Sequence, residues 1–211
     1  MLSRRNILLT GAALTTVRVS GRAIAAPVQA RTLRIGYLLP FESQIGAGAA
    51  AMAEEVVRRT GGRIQIKQFP DSALGGEVEM LQSVQLGTVD LAFITGAPLP
   101  NILPEAGIFN IPFLFSDLDH AHTVLDGPIG GSYLRLLSEK NLVALAWGEN
   151  GLRHLTNSKR PIACPDDLKG LKLRVPQSPV MLLGFRALGA DTDSLPFPQL
   201  YAALQVGMFD G

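Results

Sequence analysis

Between Leu33 and Thr95 the chain alternates strand and helix patterns in an order that suits a parallel sheet. Leu33 to Leu39 reads as a buried strand, closed by Pro40 and a loop of polar and small residues to Gly46. Residues Gly48 to Arg59 have helical composition, rich in alanine, with Glu54, Glu55, Arg58 and Arg59 on the polar side and Gly61-Gly62 as the stop. Arg63 to Phe69 alternates, with Ile64, Ile66 and Gln68 on one face and Gln65, Lys67 and Phe69 on the other, which marks a second strand. Gly75-Gly76 opens a helix whose Val78, Leu81 and Val84 share a face, and Gly87 ends it before the apolar strand Leu91 to Thr95. Strand, helix, strand, helix, strand is the βαβ grammar of an α/β protein.

The pattern then loosens and restarts. A Pro-rich stretch from Pro98 to Pro112 leads into Ile111-Pro112-Phe113-Leu114-Phe115. Asp117 or Asp119 is placed to cap a short helix ending at Leu125, and a second helix is expected from about Gly130 to Lys140. Leu142 to Trp147 reads as another apolar strand. Beyond Gly148 long apolar runs become fewer, and the grammar resumes with Pro165 to Gly170, the strand Leu171 to Val175, a helix carrying Met181, Phe185 and Leu188 on one side, and a last helix from Gln199 to Met208. The shift predicts a domain crossing near residues 148–157, with a first α/β lobe over 31–149 and the start of a second over 150–211.

Ahead of this lies a segment of different character. Arg4, Arg5, Arg18, Arg22 and Arg31 all precede the first acidic residue, Glu42. A basic start, an apolar middle from Ile7 to Val17 and the small-x-small site Ala23-Ile24-Ala25 follow the order of a secretory signal peptide, with Val28-Gln29-Ala30 as a second cleavage site. The pair Arg4-Arg5 followed by apolar residues gives it a twin-arginine character. Cleavage after Ala25 would take four of the 19 basic residues and leave the 18 acidic ones, a net charge of −3. The expected destination is the periplasm. Arg18 and Arg22 interrupt the only apolar run that approaches the roughly 18 residues of a membrane span, and the balance of charge gives no basic face for nucleic acid. A single cysteine excludes a disulfide-stapled scaffold.

The sequence offers few chemical constellations. Gly46, Gly48 and Ala51 fit a G-x-G-x-x-A pattern with Asp71 about twenty residues on. A dinucleotide site, however, needs its glycines in the turn directly after the strand, and here Pro40 to Ile45 intervene. His120 and His122 are two apart, whereas a metal pair on one helix face wants three or four. Cys164, between Ala163 and Pro165, reads as a small packed residue. With no nucleophile elbow and no paired acids at a catalytic spacing, no catalytic, metal or cofactor site is expected. Two arginines are more informative. Alternation in Leu171-Lys172-Leu173-Arg174-Val175 puts Lys172 and Arg174 on the face opposite the apolar residues, and Arg153 stands in Gly151-Leu152-Arg153-His154-Leu155-Thr156 at the expected domain crossing, where ligand clefts concentrate.

These segments resemble the solute-binding subunits of tripartite ATP-independent periplasmic (TRAP) transporters, the dicarboxylate-binding type. The blocks that carry the resemblance are Ser72-Ala73-Leu74-Gly75-Gly76-Glu77 through Gln82, Gln85 to Asp90, Ile111 to Phe115, Asp119-His120-Ala121 and Leu125 to Pro128. They continue with Gly151-Leu152-Arg153 and Thr156, Asp167 to Pro176, Ala187 to Ala190, and Tyr201 to Gly207, in collinear order from about Leu33 to the end. The resemblance implies a two-lobed periplasmic binding protein fold of type II-like topology, closing by hinge motion on a small organic acid and delivering it to TRAP membrane subunits. It implies that Arg174 pairs with a ligand carboxylate, that Arg153 is a second, more variable pocket arginine, and that Phe197 in Pro196-Phe197-Pro198 is a pocket aromatic. Two departures stand out. Gln199 replaces an acid usual in the late helix, and family chains continue past Asp210-Gly211, so the second lobe is expected to be incomplete here. An extracytoplasmic sensor domain binding similar acids and an exported NAD(P)-dependent oxidoreductase are the alternative readings.

Overall fold

The computed structural model describes residues 30–211, so the export signal read in residues 1–25 lies outside the described part. The first sheet is built from β1 (Arg31–Gly36), β2 (Ile64–Phe69) and β3 (Leu91–Ala92), in the order β2-β1-β3 and parallel throughout. Arg31 is level with Ile64 and Gly36 with Phe69 on one side of β1, and Ile35 with Leu91 on the other. Two helices make the crossovers, α1 (Gln44–Thr60) and α2 (Glu77–Gln85). The helix α1 begins four residues before the sequence pattern suggests, because the Ser43 hydroxyl accepts from the Gly46 amide and caps it. Under the sheet, Ile35, Tyr37 and Ala49 form a buried cluster with Ile45, Met52 and Phe93 against it.

After β3 come two 3₁₀ segments, Leu99–Asn101 and Pro104–Asn110, then α3 (Leu118–Leu125), capped by Asp117, and α4 (Pro128–Leu136) with a 3₁₀ extension to Lys140. A second parallel pair, β4 (Lys172–Val175) with β5 (Asp191–Ser194), is crossed by α5 (Pro179–Ala187) and followed by α6 (Phe197–Gln205). The strand β5 has no apolar run to announce it. Only Thr192 of its four residues is buried, and its pairing with β4 is what makes it a strand.

The apolar segment Leu142 to Trp147 departs from expectation. It is not a strand. Leu142, Ala144 and Trp147 pack on a core of Leu81, Leu99, Leu103 and Ala106, but Val143 is 83% and Leu145 65% exposed, and no strand lies alongside them among the described residues. Apolar composition marks a surface to be buried, whereas strand structure also needs a backbone partner. Cys164 is likewise exposed rather than packed. Pro165 starts a 3₁₀ turn at Pro165–Leu168, which leaves Cys164 at its N-cap with its amide donating to the Asp167 carboxylate.

A buried polar staple joins the two α/β units. The Asn110 side-chain amide donates to the Gly96 carbonyl at 3.1 Å and lies 3.3 Å from the Ser178 Oγ at the start of α5. Both residues are almost wholly buried. Removing one partner of a buried hydrogen-bonded pair costs roughly 1–3 kcal/mol, so Asn110→Ala is expected to lower the unfolding free energy by that amount in a urea titration. A loss below about 0.5 kcal/mol would show that water replaces the amide without penalty.

Candidate functional site

In a parallel α/β unit every strand points its carboxyl end to the same edge, and side chains from the loops there converge. In the first unit, β2 leads through Asp71 to Gly76 into α2, and β3 leads to Thr95. In the second, Arg174 sits one residue before the end of β4, and β5 leads through Leu195 and Pro196 into α6. The two edges meet: a Cβ placed on Gly76 would stand 3.6 Å from the Pro196 Cβ.

Close packing behind the first edge fixes Glu77. Gly36 ends β1 because a Cβ there would come within 2.9 Å of Met80 Sδ, and without one the fully buried Met80 holds α2 against the sheet. Glu77 is the first residue of α2, where the unpaired amides of the helix start favour a negative charge. Its carboxylate accepts from the Thr95 amide at 2.5 Å and from the Thr95 hydroxyl at 3.0 Å. Burial nevertheless wins and raises its pKa, against the lowering effect of Thr95 and of the charges on Arg153 and Arg174.

The strand face expected from alternation is present. Leu171, Leu173 and Val175 are buried, while Arg174 is half-buried on the opposite side. The Arg174 Nε and one Nη donate to the Leu195 carbonyl at 2.8 and 2.6 Å, which fixes the guanidinium and leaves its other donors without a partner among the described residues. Its pKa is pushed down to about 10, first by burial and then by the charge on Arg153, with Glu77 opposing. Burial also lowers Arg153, again opposed by Glu77. Yet much of the Arg153 surface is open to solvent. None of the ion pairs among the described residues joins either guanidinium to Glu77. Neither arginine has a contacting anion among the described residues, so a nearby negative charge would offset the burial that lowers both of their pKa values.

The charge on Arg153 thus bears on Arg174, and both bear on Glu77, which with its partner Thr95 the sequence reading did not single out. Glu77 lies inside the quoted block Gly75-Gly76-Glu77, and an acid placed directly after a Gly-Gly helix start was the available signal. Phe197 opens α6 two residues after the carbonyl that Arg174 grips, and is 41% exposed. The nucleotide pattern dissolves. The Gly46 amide is occupied by Ser43, and a side chain at Gly46 would run into the Phe41 carbonyl, so this glycine serves the helix start rather than a phosphate. His120 leans on Ser116 and the edge of Phe115, and His122 pairs with Glu149, so they go to separate partners.

The sign of the Glu77 shift gives a measurable consequence. In the unfolded chain the carboxyl titrates near 4.5, and in the fold it titrates higher. Between those values the fold holds the proton more tightly, so ligand-free stability rises as pH falls through the folded pKa and levels off below the unfolded one. Glu77→Gln removes the penalised charge. The variant is expected to melt higher than the unchanged chain at neutral pH, with the gain vanishing by about pH 4.5. A gain independent of pH would contradict the burial argument.

Comparison with known proteins identifies the family. Residues 35–211 match the family model of bacterial extracellular solute-binding proteins, family 7. A solute-binding protein of Verminephrobacter eiseniae is 44% identical over 180 residues, 85% of this chain and 54% of its own length, and the 2,3-diketo-L-gulonate-binding periplasmic protein of Escherichia coli is 36% identical over 86% of this chain and 55% of its own. Among solved structures, a TRAP periplasmic solute-binding protein from a Polaromonas species, bound to D-erythronate, superposes with a TM-score of 0.84 at 47% identity, covering 85% of this chain and 59% of that one. A sugar-acid-binding protein from Advenella mimigardefordensis, in complex with galactonate, gives 0.84 at 39% identity, covering 87% and 59%. The chain spans between half and two thirds of the length of these relatives. Among the described residues no helix is long and apolar enough to cross a membrane. Matched over residues 35–211, the chain belongs to the bacterial extracellular solute-binding proteins of family 7, the family of the TRAP periplasmic solute-binding proteins it resembles.

Proposed function

We propose that the chain is the ligand-capturing part of a periplasmic receptor, with lobes over 31–149 and 150–211, that binds a small organic acid through Arg174 and Arg153 beside Phe197 and delivers it to TRAP membrane subunits for uptake. The carrying observation is a pair of partly desolvated guanidiniums, Arg174 near the end of β4 and Arg153, with no anion in contact among the described residues. A guanidinium presents a rigid fork that meets both oxygens of a carboxylate. Each hydrogen bond to a charged group contributes about 1.5–3 kcal/mol, so one bidentate pair supplies a large part of the roughly 8 kcal/mol of micromolar binding. Export through the signal in residues 1–25 would place the receptor in the periplasm. The acids held by the Polaromonas and Advenella proteins support this reading, as does succinate in a relative from Sulfurospirillum deleyianum at 35% identity.

The test is calorimetric titration of the chain with a panel of organic acids and the methyl ester of each. Heat is expected for at least one acid and none for its ester. Equal affinity for acid and ester would remove the carboxylate from the mechanism.

A further inference from the structure

The two small-x-small sites of the export signal stand at different distances from the fold. A cut after Ala30 falls directly ahead of Arg31, the first residue of β1, whereas five residues, Ala26 to Ala30, separate a cut after Ala25 from that strand. Five residues reach at most about 17 Å when extended. A peptidase takes the residues on both sides of its bond as an extended segment, commonly by pairing with their backbone. Cleavage after Ala30 therefore asks for the backbone of Arg31 and Thr32.

Both edges of β1 are taken there. On one side Arg31 is level with Ile64 and Thr32 with Gln65 of β2, and the Arg31 amide donates to the Arg63 carbonyl at 2.9 Å. On the other side β3 reaches only Ile35 and Gly36, and the turn before it covers the earlier part of the strand. Asp90 Oδ2 accepts from the Arg34 amide at 2.9 Å and Asp90 Oδ1 from the Arg31 guanidinium at 3.3 Å, while the Thr88 carbonyl accepts from the Arg34 guanidinium. Ile35 and Tyr37 are almost wholly buried, so β1 has no slack to slide toward a peptidase without unpacking the core.

We propose that the signal is removed from the already folded chain between Ala25 and Ala26, and that β1 with its Asp90 clasp shields the Ala30–Arg31 bond. The inference rests on the export reading above and goes beyond it, because it assigns the mature N-terminus and gives Asp90 a part in processing. The pair Arg4-Arg5 fits this order of events, since twin-arginine signals carry chains that fold before export. The step is a hydrolysis by the host's signal peptidase. Water adds across the Ala25–Ala26 amide, leaving a carboxylate on Ala25 and an ammonium on Ala26.

Intact-mass and N-terminal analysis of the chain exported by a bacterial host tests this. The product beginning at Ala26 is expected to exceed one beginning at Arg31 by at least about tenfold. Ala23→Leu spoils the first site and leaves the second site and residues 30–211 unchanged, so uncut precursor should accumulate about tenfold instead of the cut moving to Ala30. Adding Asp90→Ala to Ala23→Leu opens the clasp and should raise the share cut at Ala30 about fivefold. A product beginning at Arg31 from the unchanged chain, cleavage after Ala30 at the ordinary rate in Ala23→Leu, or an Ala30 share that Asp90→Ala leaves unmoved overturns the shielding while leaving export in place. An unchanged chain that keeps residues 1–25 overturns both. The Ala23→Leu variant decides the matter even if Asp90→Ala fails to fold.

Discussion

Arg174→Ala is expected to weaken binding of any acid ligand by about 100-fold or more, the largest effect of any single change at the site. The magnitude follows from the geometry. Arg174 is half-buried and its guanidinium is braced on the Leu195 carbonyl, so on the proposed reading a ligand carboxylate would meet it without having to order it. Truncation removes the fork and also leaves the ligand's charge in a drier cleft with Arg153 alone. Arg174→Lys separates charge from shape. It keeps the positive charge but loses the bidentate match and the Leu195 brace, so an intermediate loss of roughly tenfold is expected. Both are read by calorimetry, with thermal melting to establish that each variant folds. Wild-type affinity in Arg174→Ala would show that the ligand is held elsewhere.

The other large effect lies on the reverse face of the same strand. Leu173 is fully buried, packed with Leu168, Leu171 and Ala190 in the core of the second unit. Leucine-to-alanine changes at such positions cost about 2.7–5 kcal/mol, because the lost transfer free energy is joined by an unfilled cavity. Leu173→Ala is therefore expected to remove most of the stability of the second unit, seen as a lower urea midpoint or an early separate transition. Its neighbour Lys172 is exposed, and Lys172→Ala is expected to stay within about 0.5 kcal/mol. Similar losses from the two substitutions would mean that the alternation of faces along β4 is wrong.

That alternation was legible in the sequence because a strand's period of two sends neighbouring side chains to opposite faces whatever surrounds them. For the same reason β2 and α2 lie where periodicity and the Gly-Gly boundaries put them, whereas β1 ends at Gly36 instead of Leu39 and α1 starts four residues early at Gln44. Arg174 was readable on both grounds, from its face and from the block around it. Two elements show where such local signals end. Leu142 to Trp147 has the composition of a strand, yet half of it is exposed and unpaired, because pairing is a relation between two segments and composition describes only one. Asp191–Ser194 has no apolar signature and is a strand because β4 offers it a ladder.

The site divides along the same line. From the sequence alone come the βαβ order, the polar face that carries Arg174, and Arg153 where the composition changes. Tertiary structure alone pairs Glu77 with Thr95 and brings the charges of Arg153 and Arg174 to bear on it, since residues 77, 95, 153 and 174 are far apart along the chain. It also decides the charge states there. A side chain's identity fixes its ordinary pKa, but the desolvation and neighbouring charges that raise Glu77 and lower Arg174 arise only when distant segments close around them.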